Sequence, residues 1–260
     1  MMEALQALIP ASQAALWAGF VVLIRVGSMM ATLPLFGERM IPVRVRLGLA
    51  IAFCLIVTPA VAPRIGAPPD ALTPALTLLG PEVIAGLLLG LLLRFFIMCL
   101  QIAGSIAAQS TSLSQIFGGT AGVDPLPAMG HVLVIGGLAL AAVLGLHVEL
   151  ARYILLSYDL IPPGVLIAPG IVADLGTGTV ARLFALAFTL SAPFLIASLL
   201  YNVTLGIINR AMPQLMVSFV GAPAITAGGL LLLVLTAPTI LELWFAALAE
   251  VLADPRAVTP

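Results

Sequence analysis

The sequence has no lysine, few charges of either sign and two cysteines, and each shortage excludes something. Only 8% of its 260 residues are charged, where a soluble domain carries about a quarter. Such a chain cannot clothe a globule in water-compatible groups, so lipid or partner protein must cover it. Hydrophobic residues make up 62%, and the chain reads as an integral membrane protein. All ten basic residues are arginine, and none falls in a run suited to nucleic acid. The net charge of −1 selects no partner. Cys54 and Cys99 each sit inside an apolar run, with no Cys or His at metal-ligand spacing, and read as small core residues. There is no Gly-x-Ser-x-Gly elbow, phosphate-cradling glycine loop, HExxH or aspartate pair suited to intramembrane proteolysis. An enzyme activity therefore has no residue to rest on, and no cofactor is expected. The first residues, MMEALQALIPASQ, carry an acidic group and no basic one. They lack the positive start of a cleavable signal, so the first apolar run is expected to persist in the mature chain.

What the sequence does have is long apolar runs. A spanning helix needs roughly 20 mostly apolar residues. Six stretches qualify, at about 14–33, 47–63, 82–103, 131–150, 181–208 and 222–248. The fold class is all-α, a membrane protein of about six long apolar helices in hairpins. Proline and glycine mark the joints, at Pro34 to Pro42, 67–74, 159–164 and 212–223. Pro193 and Pro238 are expected to kink the fifth and sixth runs. No linker divides the chain. If six spans alternate, the arginines at their ends split almost evenly between the two sides. The positive-inside rule then gives no orientation, as expected if some hairpins fail to cross the bilayer.

Two arginines lie inside apolar runs, Arg25 and Arg94. A central arginine costs about 2.5–3.5 kcal/mol on insertion scales. Either each pairs with a carboxylate on another helix, Glu82 or Glu242, or the span limits are misplaced and the charge lies near an interface. His131 and His147 have no clustered carboxylate and read as hydrogen-bonded helix-end histidines. Gly86 and Gly90 form a Gly-x-x-x-Gly that lets a neighbouring helix approach closely.

One stretch departs from this pattern, Gly104 to Pro127, GSIAAQSTSLSQIFGGTAGVDPLP. It lies between two apolar runs and is polar, with Asp124 its only formal charge. A lipid-facing segment cannot leave so many hydroxyls and backbone groups unpaired. It fits a segment buried in protein or lining a cavity at membrane depth. An ordinary connection is the plainer alternative.

Three stretches together resemble the FliR family of flagellar export-gate proteins, related to the SctT proteins of injectisomes. They are RVGSMMATLPLFGERMIPVRVRLGLAIAF from Arg25, DPLPAMGHVLVIGGLALAAVLGLHVELARYILLSYDLIPPG from Asp124, and NVTLGIINRAMPQLMVSFVGAPAITAGGLLLL from Asn202. The third, with Asn-Arg-x-x-Pro-Gln-Leu followed by Gly-x-Pro, is the most specific. The resemblance implies a FliP-like part, about residues 1–205, joined to a FliQ-like part, about 206–260. It implies assembly with FliP and FliQ homologues in a cone-shaped export gate, with FlhA and FlhB homologues nearby. Unfolded flagellar subunits would cross the inner membrane there, at the basal body.

The family's plug falls on about Ile106 to Gly122 here: Ile106, Gln109, Ser110, Thr111, Ser112, Leu113, Ser114, Gln115, Ile116, Phe117, Gly118, Gly119 and Gly122. The chain reads Gln109-Ser110-Thr111 where relatives have Gln-x-Gly. Leu113, Ile116 and Phe117 would seal by excluding water, as hydrophobic constrictions do. Expected contacts with neighbouring subunits are Arg25, Glu38, Arg39, Arg44, Arg46, Asn209, Arg210, Pro213 and Gln214. Two other readings are an injectisome subunit of the same superfamily and a small-solute transporter. The latter would favour inverted repeats and paired mid-membrane ionisable groups, and no convincing repeat is visible.

Overall fold

A computed structural model describes residues 2–34, 41–111, 128–212 and 217–254. All regular structure among them is helical: α1 (Met2–Thr32), α2 (Val43–Ile65), α3 (Leu72–Ser110), α4 (Ala128–Val143), α5 (Leu146–Leu160), α6 (Pro169–Ala211) and α7 (Val217–Ala253). Five helices are long and apolar enough to cross a membrane, or six if α4 and α5 together make one crossing. The expected all-helical membrane fold is what the chain adopts.

The helices outrun the apolar windows that announce them. α3, α6 and α7 contain 39, 43 and 37 residues. At 1.5 Å per residue they are about 55–65 Å long, roughly twice the hydrocarbon thickness of a bilayer. α3 continues through Pro81, α6 through Pro193 and α7 through Pro223 and Pro238. The run at 131–150, expected as one span, is broken into α4 and α5, which meet at a bend of 78°. The cause is Gly145, whose φ of 85° lies in the left-handed region that glycine reaches without steric cost. Hydropathy carries no trace of that break.

The chain forms two compact units. The first comprises Met1–Phe95, Gly145–Thr179 and Leu248–Pro260; the second comprises Phe96–Leu144 and Val180–Ala247. In the first, α1 packs on α2 and α2 on α5. Its core takes Val22, Val26, Met29 and Leu33 from α1, Phe53, Val57 and Val61 from α2, Leu89 and Leu93 from α3, and Tyr153 and Ile154 from α5. The three- and four-residue steps place the α1, α2 and α3 sets each on one helix face.

In the second unit, Phe96, Leu100, Ala103 and Ala107 of α3 are buried with Leu183, Ala187, Leu190 and Phe194 of α6. Leu195, Ile196, Leu199, Leu200, Val203 and Ile207 of α6 are exposed instead. Large exposed apolar faces of this kind need lipid or another protein against them.

Candidate structural and gating sites

The first unit is built around a buried charge. Arg25 and Glu82 are 1% and 0% exposed, and the carboxylate takes the guanidinium from two sides, Nε to Oε2 at 2.7 Å and NH2 to Oε1 at 3.0 Å. The remaining donors go to α5 and the turn after it. NH1 reaches the Ser157 carbonyl at 3.2 Å and Oγ at 3.3 Å, and NH2 reaches the Ile161 carbonyl at 3.0 Å. All five N–H groups of the guanidinium are thereby used. Its Cζ stands 3.7 Å from the Tyr158 ring centroid, an added cation–π contact. Glu82 Oε1 also accepts the Gly164 N–H at 3.0 Å. Gly164 has φ 73°, so the turn that presents this amide needs glycine.

Desolvating two ions costs several kcal/mol each, and only full pairing and hydrogen bonding repays it. Here both conditions are met, and α1, α3, α5 and the turn after α5 are stapled at one point. Arg25 was expected at a subunit interface; with no N–H left over and 1% exposure, it is an internal residue of this unit. Arg94 does not take the pairing alternative. It is half-buried, and neither it nor Glu242, which is exposed, has an ion pair among the described residues. His131 and His147 lie exposed in the opening turns of α4 and α5, with no hydrogen-bond partner among the described residues. No group of metal-ligating side chains occurs among the described residues.

The staple is reinforced by close backbone approach. A Cβ on Gly86 would strike the Ser28 hydroxyl and the Arg25 carbonyl, and one on Gly90 the Thr32 hydroxyl and the Met29 carbonyl. The Gly-x-x-x-Gly of α3 thus receives α1, in register with the ion pair.

Among its described residues, the second unit reaches close packing without buried charge. α3 and α4 touch where Gly104 meets the backbone of Gly130, leaving no room for a Cβ on Gly104. Trp244 of α7, fully buried, donates its indole N–H to the Phe96 carbonyl at 2.7 Å. A Cβ on Gly137 of α4 would meet that same indole and Leu100.

The polar stretch from Gly104 begins as helix, not as a separate loop: Gly104 to Ser110 form the last turns of α3. The reason is local. Ala107 and Ala108 are strong helix formers, and the hydroxyls fold back on the backbone. Ser110 Oγ and Thr111 Oγ1 both bond the Ala107 carbonyl, at 2.8 and 2.9 Å. Ile106 and Ser110 are half-buried, Gln109 is exposed and Thr111 is buried. Ser112, Leu113, Ser114, Gln115, Ile116, Phe117, Gly118, Gly119 and Gly122 lie outside the described residues, as do Glu38, Arg39, Pro213 and Gln214. Arg44 is exposed and Arg46 half-buried in the first turn of α2, and Asn209 and Arg210 are exposed in the last turn of α6.

Sequence reasoning did not find Ser157, Gly164, Ser198 or Trp244. All four act on or through backbone groups, which leave no side-chain pattern at a distance.

The fold and its sites define a polytopic helical membrane protein with close-packed glycines, one buried ion pair and no catalytic cluster among the described residues. Comparison with known proteins gives this class a family. The family described as Bacterial export proteins, family 1, matches residues 16–251. The flagellar biosynthetic protein FliR of Caulobacter vibrioides is 33% identical over 224 residues, covering 86% of this chain and 89% of that protein. FliR of Escherichia coli is 28% identical over 244 residues, covering 89% and 90%. FliR of Bacillus subtilis is 28% identical over 221 residues, covering 82% and 83%. The chain belongs to the FliR family of bacterial export proteins, and so to the subunits of the flagellar export apparatus.

Proposed function

We propose that this chain is a structural and gating subunit of the flagellar export gate, through which unfolded flagellar subunits cross the inner membrane. Its partners are FliP and FliQ homologues, with FlhA and FlhB homologues nearby at the basal body. In this reading residues up to about 205 do the work of a FliP-like part and the rest that of a FliQ-like part. The observation that carries the reading is the family match across residues 16–251. The exposed apolar faces of α6 support it, since neighbouring subunits would cover them.

Within the gate, Ile106 to Gly122 form the plug. The segment's composition supports this role, because amides and hydroxyls exchange partners with water at far lower cost than a fixed charge would. Arg44, Arg46, Asn209 and Arg210, with Glu38, Arg39, Pro213 and Gln214, dock the neighbouring subunits. The four that lie in described helices are at helix ends, and three of those four are exposed.

Two experiments test the proposal. Deleting residues 106–122 is expected to leave assembly largely intact while the closed gate leaks ions, measured as conductance of membranes holding the complex. An unchanged conductance refutes the plug. Arg210→Ala is expected to lower recovery of the complex with FliP and FliQ homologues, and unaltered co-purification refutes the docking role.

A further inference from the structure

The end of α3 is held by residues to which the reading above gives no task. A helix leaves its last carbonyls without intrahelical partners. The carbonyl of Ser110, the final residue of α3, is met by Ser198 of α6, whose hydroxyl donates to it at 2.6 Å. Asn202, one turn further along α6, donates its side-chain amide to Ser198 Oγ at 3.2 Å and to the Ser198 carbonyl at 2.8 Å. The Asn202 N–H occupies a lone pair of the hydroxyl, which leaves its proton aimed at Ser110. On the other side Thr111, 4% exposed, lies against Gly229 of α7. A Cβ on Gly229 would run into Thr111 Cγ2 and Cβ. One hydroxyl and one missing side chain, on two helices, therefore fix the last turn of α3. All these groups belong to the second unit.

We propose that Ser198 and Gly229 are positioning residues of the gate. They hold the last turn of α3, with which the plug begins. The proposal rests on the plug reading for its functional meaning, while the clamp itself is measurable without it.

The test uses the assembled complex with a spin label on a cysteine introduced at exposed Gln109, alongside membrane conductance. Ser198→Ala is expected to raise label mobility and conductance several-fold over the otherwise unchanged complex. Ser198→Thr, which keeps the hydroxyl, is expected to match Ser198. Gly229→Ala is expected to raise both readouts, and adding Thr111→Gly, which removes the atoms the new methyl would strike, is expected to bring mobility back down. A merely destabilising change would lower complex recovery and would not distinguish alanine from threonine at position 198.

The label reports the clamp and the conductance reports the plug, so the two can fail separately. Equal mobility for Ser198→Ala and Ser198→Thr overturns the clamp, whatever the conductance does. Raised mobility with unchanged conductance, in a complex where deleting 106–122 does leak, overturns the positioning role. If that deletion does not leak, the plug reading falls and the positioning role falls with it.

Discussion

The two compact units solve the same packing problem by different means. The first buries a full ion pair and satisfies every donor of the arginine, with Glu82 also taking the Gly164 amide. The second, among its described residues, buries no charge and relies on glycine contacts, one indole N–H and hydroxyls returned to carbonyls. A buried ion pair is sensitive to geometry, because a small displacement leaves an uncompensated charge. Contacts between neutral groups can be remade at lower cost. The difference teaches that the first unit depends on one charge pair, while the end of α3 is held by neutral groups alone.

The comparison makes a ranked set of expectations, all readable by chemical unfolding in detergent. The largest effect is expected for Glu82→Leu, which strands Arg25 and should cost about 3–5 kcal/mol. Replacing both partners, Arg25→Met with Glu82→Leu, is expected to recover the larger part of that loss. If the double variant is no better than the single one, the charge itself is not what makes the first unit brittle. Next comes Gly104→Ala, where a methyl must push α4 away from α3, at about 1–3 kcal/mol for overpacking. Gly130→Ala should cost less, since its Cβ would meet the Gln101 carbonyl at an ordinary 3.4 Å. Equal costs at the two positions would show that α3 and α4 are not fixed at that crossing. Trp244→Phe loses one buried hydrogen bond and is expected to cost about 1 kcal/mol. Smallest is Arg64→Ala. The Arg64–Asp159 pair is close, at 2.6 Å, but its side chains are 46% and 55% exposed. Such pairs contribute at most about 1 kcal/mol. A larger loss there would blur the line drawn between buried and exposed charge.

Much of the architecture was legible in the sequence because apolar runs near spanning length have few other uses. The run at 14–33 ends one residue beyond α1, and the run at 47–63 lies within α2. The break at Gly145 was not legible, since one glycine among 24 carries no mark of its φ. Arg25 announced itself as a charge in an apolar run, and Glu82 was one of two carboxylates in view. Much of the rest of that site was hidden because it is backbone. The carbonyls of Ser157 and Ile161 lie 132 and 136 residues away and have no side-chain signature. Arg94 shows the same signal with a different outcome, as it is half-buried and without an ion pair among the described residues. The third apolar run was placed at about 82–103, yet alanines and back-bonded hydroxyls carry α3 on to Ser110.

The central claim is that gating belongs to the neutral end of α3 and the segment after it, while the buried charge serves structure alone. It is tested most directly by membrane conductance of the assembled gate, comparing deletion of 106–122 with the paired replacement Arg25→Met and Glu82→Leu. The account expects a leak from the deletion and a closed gate from the paired replacement. A closed gate in the deletion, or a leak from the paired replacement in complexes recovered at full yield, would contradict it.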